Sequence, residues 1–174
     1  MTTNQTHENT PVITFEAYTD DDFDYVIDSH RRIFGKEFGW GEHFMDRVRE
    51  VTLTYANREK TEREIFLIAK ANGKPVGSMM LIEWPQDPTV AQLRLLVVEE
   101  AYRGYKIGSR LMRTLLEKAK TDGYRKVILW TVDELVVARQ YYAKLGFVCT
   151  EREENRLWHP DGTPVMEELW EMDL

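Results

Sequence analysis

One continuous stretch, residues 91–116, constrains the fold more than any other part of this 174-residue chain. It begins with the apolar run Gln92 to Val98, whose alternation predicts that Leu93, Leu95 and Val97 share one face. Apolar side chains on both faces of its second half indicate a strand that is covered on both sides and therefore central in a sheet. An amphipathic helix follows, because apolar residues recur every three or four positions over the rest of the stretch.

The loop between this strand and helix, Arg103 to Ser109, carries glycines and basic residues. A loop that runs into a helix N-terminus directs unpaired backbone N–H groups and the positive end of the helix dipole at one place. Such a place suits a phosphate or pyrophosphate, and Arg103 and Lys106 add positive charge. The alternative interpretation is an ordinary exposed turn. The loop contains neither the Walker pattern GxxxxGK[ST] nor the dinucleotide fingerprint GxGxxG.

The charge balance disfavours a nucleic-acid partner. The chain has 23 Lys and Arg against 30 Asp and Glu, a net charge of −7, and it contains no basic run. Such acidity is compatible with a cationic or amine-bearing substrate. No stretch approaches the ~20 apolar residues of a membrane span, so no membrane partner is expected.

The cysteine content and the N-terminus predict a cytoplasmic protein. Cys149 is the only cysteine, so no intrachain disulfide can form, which suits a reducing compartment. The first ten residues are polar and lack the features of a secretory signal. We expect residues 1–11 to be a disordered lead and residues 12–174 to form a single domain.

The remaining patterns predict strands and helices in an uneven order: one strand, two helices, three strands, a helix, a strand, a helix and two strands. The aromatic segment 34–40 is expected to turn the chain into a second helix over 42–57, and a later helix is expected to start at Asp133 or Glu134. This order predicts an α/β domain with a mixed sheet of about six to seven strands and about four flanking helices. The histidines are scattered, and no cluster has metal-ligand spacing, so no metal is expected.

Two motifs in this framework resemble those of the GNAT superfamily of N-acyltransferases. Arg103 to Gly108, RGYKIG, resembles the family's acyl-CoA pyrophosphate loop RGxGIG, with Lys106 in place of the middle glycine. Ala138 to Phe147, ARQYYAKLGF, resembles the family pattern AxxxYxKxGF, and Leu135 stands where the family often has asparagine. The element order is also that of the GNAT fold, and the resemblance covers about residues 12–174.

Further segments resemble a bacterial subgroup of GNAT domains that are often fused behind a MarR-type winged-helix regulator. These segments are FGW at 38–40, VAQLR at 90–94, LWT at 129–131 and WEMDL at 170–174. The chain resembles a stand-alone form, because a MarR domain would need about 140 more residues and a basic helix-turn-helix.

The resemblance implies transfer of an acetyl group from acetyl-CoA, as cosubstrate, to a primary amine of a small molecule such as an amino acid or a polyamine. It also implies direct attack in a ternary complex, with Tyr142 as the general acid for the leaving thiolate. A backbone N–H near Val97 is expected to stabilise the oxyanion. The residues implied to bind the cofactor lie on the central strand, the loop and the later helix: Leu96, Val97, Val98, Arg103, Gly104, Tyr105, Lys106, Ile107, Gly108, Ser109, Ala138 and Tyr142.

The base that removes the amine proton is left open. Glu83 is one catalytic candidate, Glu37 and His30 are others, and a water relay is an alternative. Each side chain also has a structural interpretation, as a solvated carboxylate or a packed histidine. The candidates for binding the acceptor are His30, Glu37, Trp40, Gln92 and Arg94. Arg94 would either recognise an acceptor carboxylate or form a structural ion pair.

Two other functions stay open. A non-catalytic acyl-CoA-binding sensor or interaction module would use the same scaffold. An unrelated nucleotide-binding α/β domain would bind ATP or NAD at least as tightly as CoA. The C-terminal strand with Trp170 is a candidate dimer edge, so a homodimer is also left open.

Overall fold

Seven strands form one mixed sheet in residues 9–174, the part of the chain that the computed structural model describes. The strands are β1 Ile13–Ala17, β2 Ile65–Ala71, β3 Lys74–Trp84, β4 Asp87–Val98, β5 Lys126–Val132, β6 Val148–Asn155 and β7 Val165–Asp173. The α-helices of this part are α1 Phe23–Phe38, α2 Glu42–Asn57, α3 Ile107–Thr121 and α4 Val136–Leu145. The predicted α/β class with a mixed sheet and about four helices is confirmed. Residues 1–8 of the predicted lead lie outside the described residues.

Helices cover both faces of this sheet, because alternate residues of its central strands point in opposite directions. Phe66 and Met80 face the layer of α1 and α2, where they pack with buried residues such as Val48. Leu67 and Leu81 face α3 on the other side. The predicted two-sided burial of the central strands follows from these two cores.

The sheet divides at its centre. The strands run in the order β1-β2-β3-β4-β5-β7-β6, and β4 and β5 are parallel neighbours. Their pairing covers only Val90–Leu93 of β4 and Lys126–Leu129 of β5, whereas β5 continues to Val132 in pairing with β7. Beyond Leu93 the strands therefore separate and leave an opening between the two halves of the sheet.

The predicted alternation along the central strand is wrong at Leu95. Leu95 has a φ of +54°, and the register with β3 shifts between Ser78 and Met80. This is a β-bulge, in which an extra residue of β4 faces β3 and reverses the direction of the side chains that follow. As a result Leu93 packs on the α3 side and Leu95 on the α1–α2 side.

Segment 34–40, predicted as a turn, is mostly helical. α1 continues to Phe38 and ends at Gly39, which has a left-handed φ of 72°. The helix is extended because its last turn packs against the residue that follows the glycine, with the rings of Phe34 and Trp40 stacked at 5.1 Å. Glu37 therefore lies in a helix rather than in a loop.

Two further boundaries differ from the prediction. The loop 103–109 is largely ordered as a 3-10 helix over Glu100–Tyr105 followed directly by α3. The later helix starts at Val136 rather than at Asp133, because Asp133 is bound to β7: its backbone N–H donates to the carbonyl oxygen of Met166, and its Oδ1 accepts from the Met166 N–H at 3.0 Å. α2 has the predicted bounds.

Candidate active site

A cleft of about 680 Å³ opens where β4 and β5 separate, between the end of β4, the start of α3 and α4. We call it the β4–α4 cleft. Most of the residues expected to bind the cofactor line it: Leu96, Val97, Val98, Arg103, Lys106, Gly108, Ser109, Ala138 and Tyr142. One long opening thus joins the loop motif to the motif on α4, which lie about 30 residues apart in the sequence.

Three of the expected cofactor residues do not line the β4–α4 cleft that the described residues form. Ile107 is 0% exposed, because its side chain belongs to the apolar core beneath α3. Gly104 and Tyr105 lie on the exposed 3-10 segment that precedes α3. Ile107 can therefore contact a ligand only through its backbone.

The N-terminus of α3 offers backbone donors at the mouth of the cleft. The first N–H bonded within this helix is that of Arg110, which donates to the carbonyl oxygen of Lys106 at 3.0 Å. Among residues 9–174, the N–H groups of Ile107, Gly108 and Ser109 have no hydrogen-bond acceptor, and no side chain caps the helix. Together with the helix dipole, these groups form a site suited to an anion.

Lys106 adopts a left-handed conformation, with a φ of 57°, directly before α3. This conformation favours glycine, because a Cβ clashes there with the following carbonyl oxygen. Lys106 occupies the middle-glycine position of the resembled pattern. This chain thus has, at that position, a backbone conformation that favours glycine.

Arg103 forms an ion pair with Glu37 of α1 at the edge of the β4–α4 cleft. The two side chains are 45% and 30% exposed, so the pair is worth no more than about 1 kcal/mol and is easily exchanged for a phosphate oxygen. Glu37, expected at the acceptor site, lines this cleft instead.

A second cavity of about 540 Å³ lies among α1, α2 and strands β4 to β7, and we call it the α2–β7 cavity. The other residues expected to bind the acceptor all line it: His30, Trp40, Gln92 and Arg94. Part of its wall is aromatic, since Phe44 packs edge-on against both Trp40 and Trp158.

The two openings meet at Phe34, Leu96 and Tyr142, which line both. The ring of Tyr142 packs against Trp170 at 6.4 Å, yet within the described chain its hydroxyl makes no hydrogen bond. Burial, followed by the neighbouring Tyr141, raises the pKa of Tyr142 to about 12. The hydroxyl is therefore protonated at neutral pH and can donate a proton or a hydrogen bond.

His30 is 2% exposed and lines the α2–β7 cavity. Its Nδ1 lies 2.7 Å from the carbonyl oxygen of Val26, so Nδ1 carries the proton and donates it. The buried Nε2 has no partner among the described residues. Burial lowers the pKa of His30 to about 4, so the ring is neutral at pH 7 and presents Nε2 as an acceptor.

Glu83, the first candidate base, lies away from these openings. Its carboxylate pairs with Arg63 at 3.2 Å and accepts a hydrogen bond from the Thr61 hydroxyl at 3.2 Å. In the part of the chain that the structure describes, it lines neither the β4–α4 cleft nor the α2–β7 cavity. Its position gives no support for a role in catalysis.

Glu167 of β7 is a cavity residue that the sequence analysis missed. It lines the α2–β7 cavity and accepts a hydrogen bond from Nδ2 of Asn155 at 3.0 Å. Burial raises the pKa of Glu167 above its ordinary value, an effect that the Asn155 hydrogen bond partly opposes. Its place in an alternating final strand was visible in the sequence, but its proximity to the site depends on β7 lying between β5 and β6.

Glu134 connects three segments around the aromatic wall. It accepts hydrogen bonds from Nε1 of Trp40 at 2.8 Å and from Nε2 of His159 at 2.9 Å. The end of α1 is thereby joined to the start of α4 and to the loop between β6 and β7. This network holds Trp40 in position beside the junction of the two openings.

Comparison with known proteins places this geometry in a family. A model of the acetyltransferase (GNAT) family matches residues 16–147. An uncharacterized N-acetyltransferase of Methanocaldococcus jannaschii is 27% identical over 149 residues, which are 83% of this chain and 64% of that protein. An N-acetylaspartate synthetase of Xenopus tropicalis is 33% identical over 82 residues, which are 47% of this chain and 30% of that protein. The chain spans less than two thirds of the length of these curated relatives.

The fold is also found in solved structures. A GNAT-family acetyltransferase from Staphylococcus aureus Mu50 superposes with a TM-score of 0.72 at 21% identity, covering 94% of this chain and 99% of that chain. Among residues 9–174, no helix has both the length and the apolar character needed to cross a membrane. The family match extends over most of the chain and includes both the loop motif and the α4 motif, and the chain belongs to the acetyltransferase (GNAT) family.

Proposed function

We propose that this protein transfers an acetyl group from acetyl-CoA to a primary amine of a small molecule. The observation that carries the proposal is the meeting of the β4–α4 cleft and the α2–β7 cavity at Tyr142. One opening suits a long phosphorylated donor, and the other suits a small acceptor. The relative from Xenopus is named for N-acetylaspartate, an acetylated amino acid, which supports a small amine acceptor.

The residues of the β4–α4 cleft fit acetyl-CoA. The N–H groups of Ile107, Gly108 and Ser109 would bind its pyrophosphate, assisted by Arg103 and Lys106. The apolar ends of β4 and α4 would hold its pantetheine arm, which is the part that family resemblance pairs with Leu96 to Val98. Acetyl-CoA supplies an acetyl thioester, whose carbonyl carbon accepts the amine lone pair as the C–S bond breaks.

The proton donor in this proposal is Tyr142. Its hydroxyl lies at the junction and is kept protonated by burial, so it can protonate the leaving thiolate. The backbone N–H near Val97 is our candidate for stabilising the oxyanion, because β4 has lost its pairing with β5 at this point.

For proton removal from the amine, we favour Glu167 over the earlier candidates. It lines the α2–β7 cavity, and its raised pKa makes it a better proton acceptor than an ordinary carboxylate at the same distance. Glu83 lies elsewhere, and Glu37 is paired with Arg103 in the other opening. His30 is retained as a hydrogen-bond acceptor for the amine.

The first test is isothermal titration of acetyl-CoA into the full chain, with ATP and NAD as controls, followed by an amine panel monitored for free-thiol release. Binding of acetyl-CoA alone together with transfer to at least one amine is the expected result. Binding of CoA without transfer to any amine would favour the acyl-CoA sensor instead. Equal or tighter binding of ATP or NAD would contradict both.

Three wider predictions accompany this proposal. Residues 12–174 are proposed to form a single GNAT domain, similar to those fused to MarR-type regulators. A cytoplasmic location is proposed from the single cysteine. Light scattering of the purified chain would test whether it forms a homodimer.

A further inference from the structure

Arg94 carries a positive charge in a confined place without a partner. It extends from β4 towards α2, where it is partly buried at the wall of the α2–β7 cavity. Within residues 9–174, its guanidinium makes no hydrogen bond and no ion pair. A guanidinium has five N–H donors, and leaving such a group partly desolvated and unpaired is costly. The alternative interpretation of Arg94 as a structural ion pair therefore finds no partner in the structure.

The acidic groups nearest to Arg94 on the α2 side are paired with other arginines. Arg47 of α2 pairs with Glu50 at 2.7 Å, and Arg58 forms two hydrogen bonds of 2.7 Å with the carboxylate of Glu64. Burial, followed by repulsion from Arg47, lowers the pKa of Arg94 to about 10, so the group remains charged at neutral pH.

Arg94 also lines a small side pocket of about 130 Å³, which we call the arginine pocket because Arg47 and Arg58 line it as well. Arg47, Val51 and Arg94 are shared with the α2–β7 cavity, so the two spaces adjoin. A water molecule occupies about 30 Å³ in the liquid, so the arginine pocket has room for a carboxylate or a phosphate group.

Away from Arg94, the α2–β7 cavity offers groups that suit an amine. Two buried atoms without partners in the described chain, Nε2 of His30 and Oγ1 of Thr131, belong to residues that line it. Nε2 of His30 accepts hydrogen bonds, as the N–H groups of an amine require. Glu167 adds a carboxylate to the same cavity.

We infer that the acceptor is an amine that also carries an anionic group, a carboxylate or a phosphate, and that Arg94 binds this group at the arginine pocket. This inference rests on the proposed function, because it names the acceptor class of the same site. The anion lies at Arg94, while the amine lies in the α2–β7 cavity towards Tyr142.

The test compares matched pairs of amines at saturating acetyl-CoA: 4-aminobutanoate with butylamine, and 2-aminoethyl phosphate with ethanolamine. We expect kcat/KM of at least one anionic amine to exceed that of its neutral partner by about 30-fold or more, as for a charge-assisted contact in a desolvated place. The pair with the larger ratio distinguishes carboxylate from phosphate.

Arg94→Gln should lower kcat/KM for the preferred anionic amine by a similar factor and leave the neutral partner within about threefold. Arg94→Lys should lower this kcat/KM less than Arg94→Gln does, because lysine keeps the positive charge but lacks the planar guanidinium that binds an anion with two hydrogen bonds. Arg49→Gln is the matched control, since Arg49 lies on α2, pairs with Asp46 at 2.8 Å and does not line the arginine pocket. Circular dichroism verifies that each variant is folded.

Each outcome decides the inference. Equal use of anionic and neutral amines, or an Arg94→Gln loss that affects both alike, overturns it while transfer itself still supports the proposed function. If no amine is acetylated, the proposed function fails. Titration of the two anionic amines into the CoA-bound protein then tests whether Arg94 binds their anionic group. If an anionic amine binds to the wild type but not to Arg94→Gln, the result supports the inference for the arginine pocket. If neither amine binds to the wild type, the inference is overturned.

Discussion

Burial sets the protonation of Tyr142 and His30, two titratable rings that line the candidate site. It raises the pKa of Tyr142 to about 12 and lowers the pKa of His30 to about 4. In both cases desolvation disfavours the charged form, so an acid stays protonated and a base stays neutral. At pH 7 the site therefore contains an uncharged donor and an uncharged acceptor, in addition to the Arg94 guanidinium and the carboxyl group of Glu167.

Tyr142→Phe tests the proposed acid. The ring of Tyr142 packs in the core, whereas its hydroxyl has no partner in the described structure, so the change removes a proton donor and little packing. We expect kcat to fall by about 100-fold with an almost unchanged dissociation constant for acetyl-CoA. Tyr141→Phe is the control, because Tyr141 lines the β4–α4 cleft but not the α2–β7 cavity. An unchanged kcat in Tyr142→Phe would remove Tyr142 from the mechanism.

The buried, neutral ring of His30 leads us to predict that the protein loses stability in acid. Its folded pKa of about 4 lies below the ordinary 6.5, so between these values the unfolded chain binds a proton that the folded chain does not. Stability is unaffected above pH 6.5 and falls as the pH drops towards 4, by on the order of 3 kcal/mol. Urea unfolding at pH 7.5 and 4.5 should show a smaller acid loss for His30→Gln than for wild type. Equal losses would contradict the buried neutral ring.

At the scale of single elements, the site depends on two irregular backbone positions. Leu95 and Lys106 both have left-handed φ values, of 54° and 57°. The bulge at the first reverses the direction of the side chains at the end of β4, which stays paired with β3, and the second lies directly before α3. Regular elements would have closed the opening at both places.

Lys106→Gly tests the strain before α3. Glycine adopts a φ of 57° without the Cβ clash, so the variant should be more stable than wild type by about 1 kcal/mol. Lys106→Ala removes the same charge but keeps a Cβ, so it should gain nothing. Guanidinium unfolding of the three proteins measures the difference. Equal stability of the glycine and alanine variants would argue against strain at this residue.

Gly77→Ala tests the bulge. A Cβ at Gly77 would lie 2.9 Å from the carbonyl oxygen of Val97, so β4 would have to shift. We expect a loss of about 1–3 kcal/mol in stability together with weaker binding of acetyl-CoA. Gly35→Ala is the matched control, since a Cβ there makes only an ordinary contact, 3.7 Å from the carbonyl oxygen of Trp40. Unaltered stability and binding in Gly77→Ala would show that the bulge adapts freely.

At the scale of the whole molecule, Glu168 holds the C-terminal half together. This carboxylate is 0% exposed, and it pairs with Arg139 of α4 at 2.8 Å and with Arg152 of β6 at 2.9 Å. It also accepts a hydrogen bond from Nε1 of Trp170. The helix that carries Tyr142 is thereby fixed to β7, on the far side of the opening from β4.

Glu168→Gln should reduce the free energy of unfolding by about 3 kcal/mol, because two arginines lose a buried partner. Glu154→Gln is the control: Glu154 pairs with Arg156, but both side chains are more than half exposed, and the loss should stay below about 1 kcal/mol. Chemical denaturation measures both. Similar small losses would mean that the Glu168 network contributes little to stability.

The sequence by itself determined most of the elements and the family. Periodicity placed α2 and the central strands, and RGYKIG with ARQYYAKLGF indicated the family, because these are local patterns in which each residue's neighbours along the chain decide its conformation. Alternation failed at Leu95, since a bulge depends on the partner strand.

Only the tertiary structure decided the acceptor side. Glu167 reaches the α2–β7 cavity because β7 lies between β5 and β6, and Glu83 points away from it because its strand face is the other one. That Arg94 has no partner among residues 9–174 depends on the charges of α2, which lie about 40 residues earlier in the chain. Such relations are set by which surfaces pack together, and packing joins residues whose separation in the sequence carries no signal.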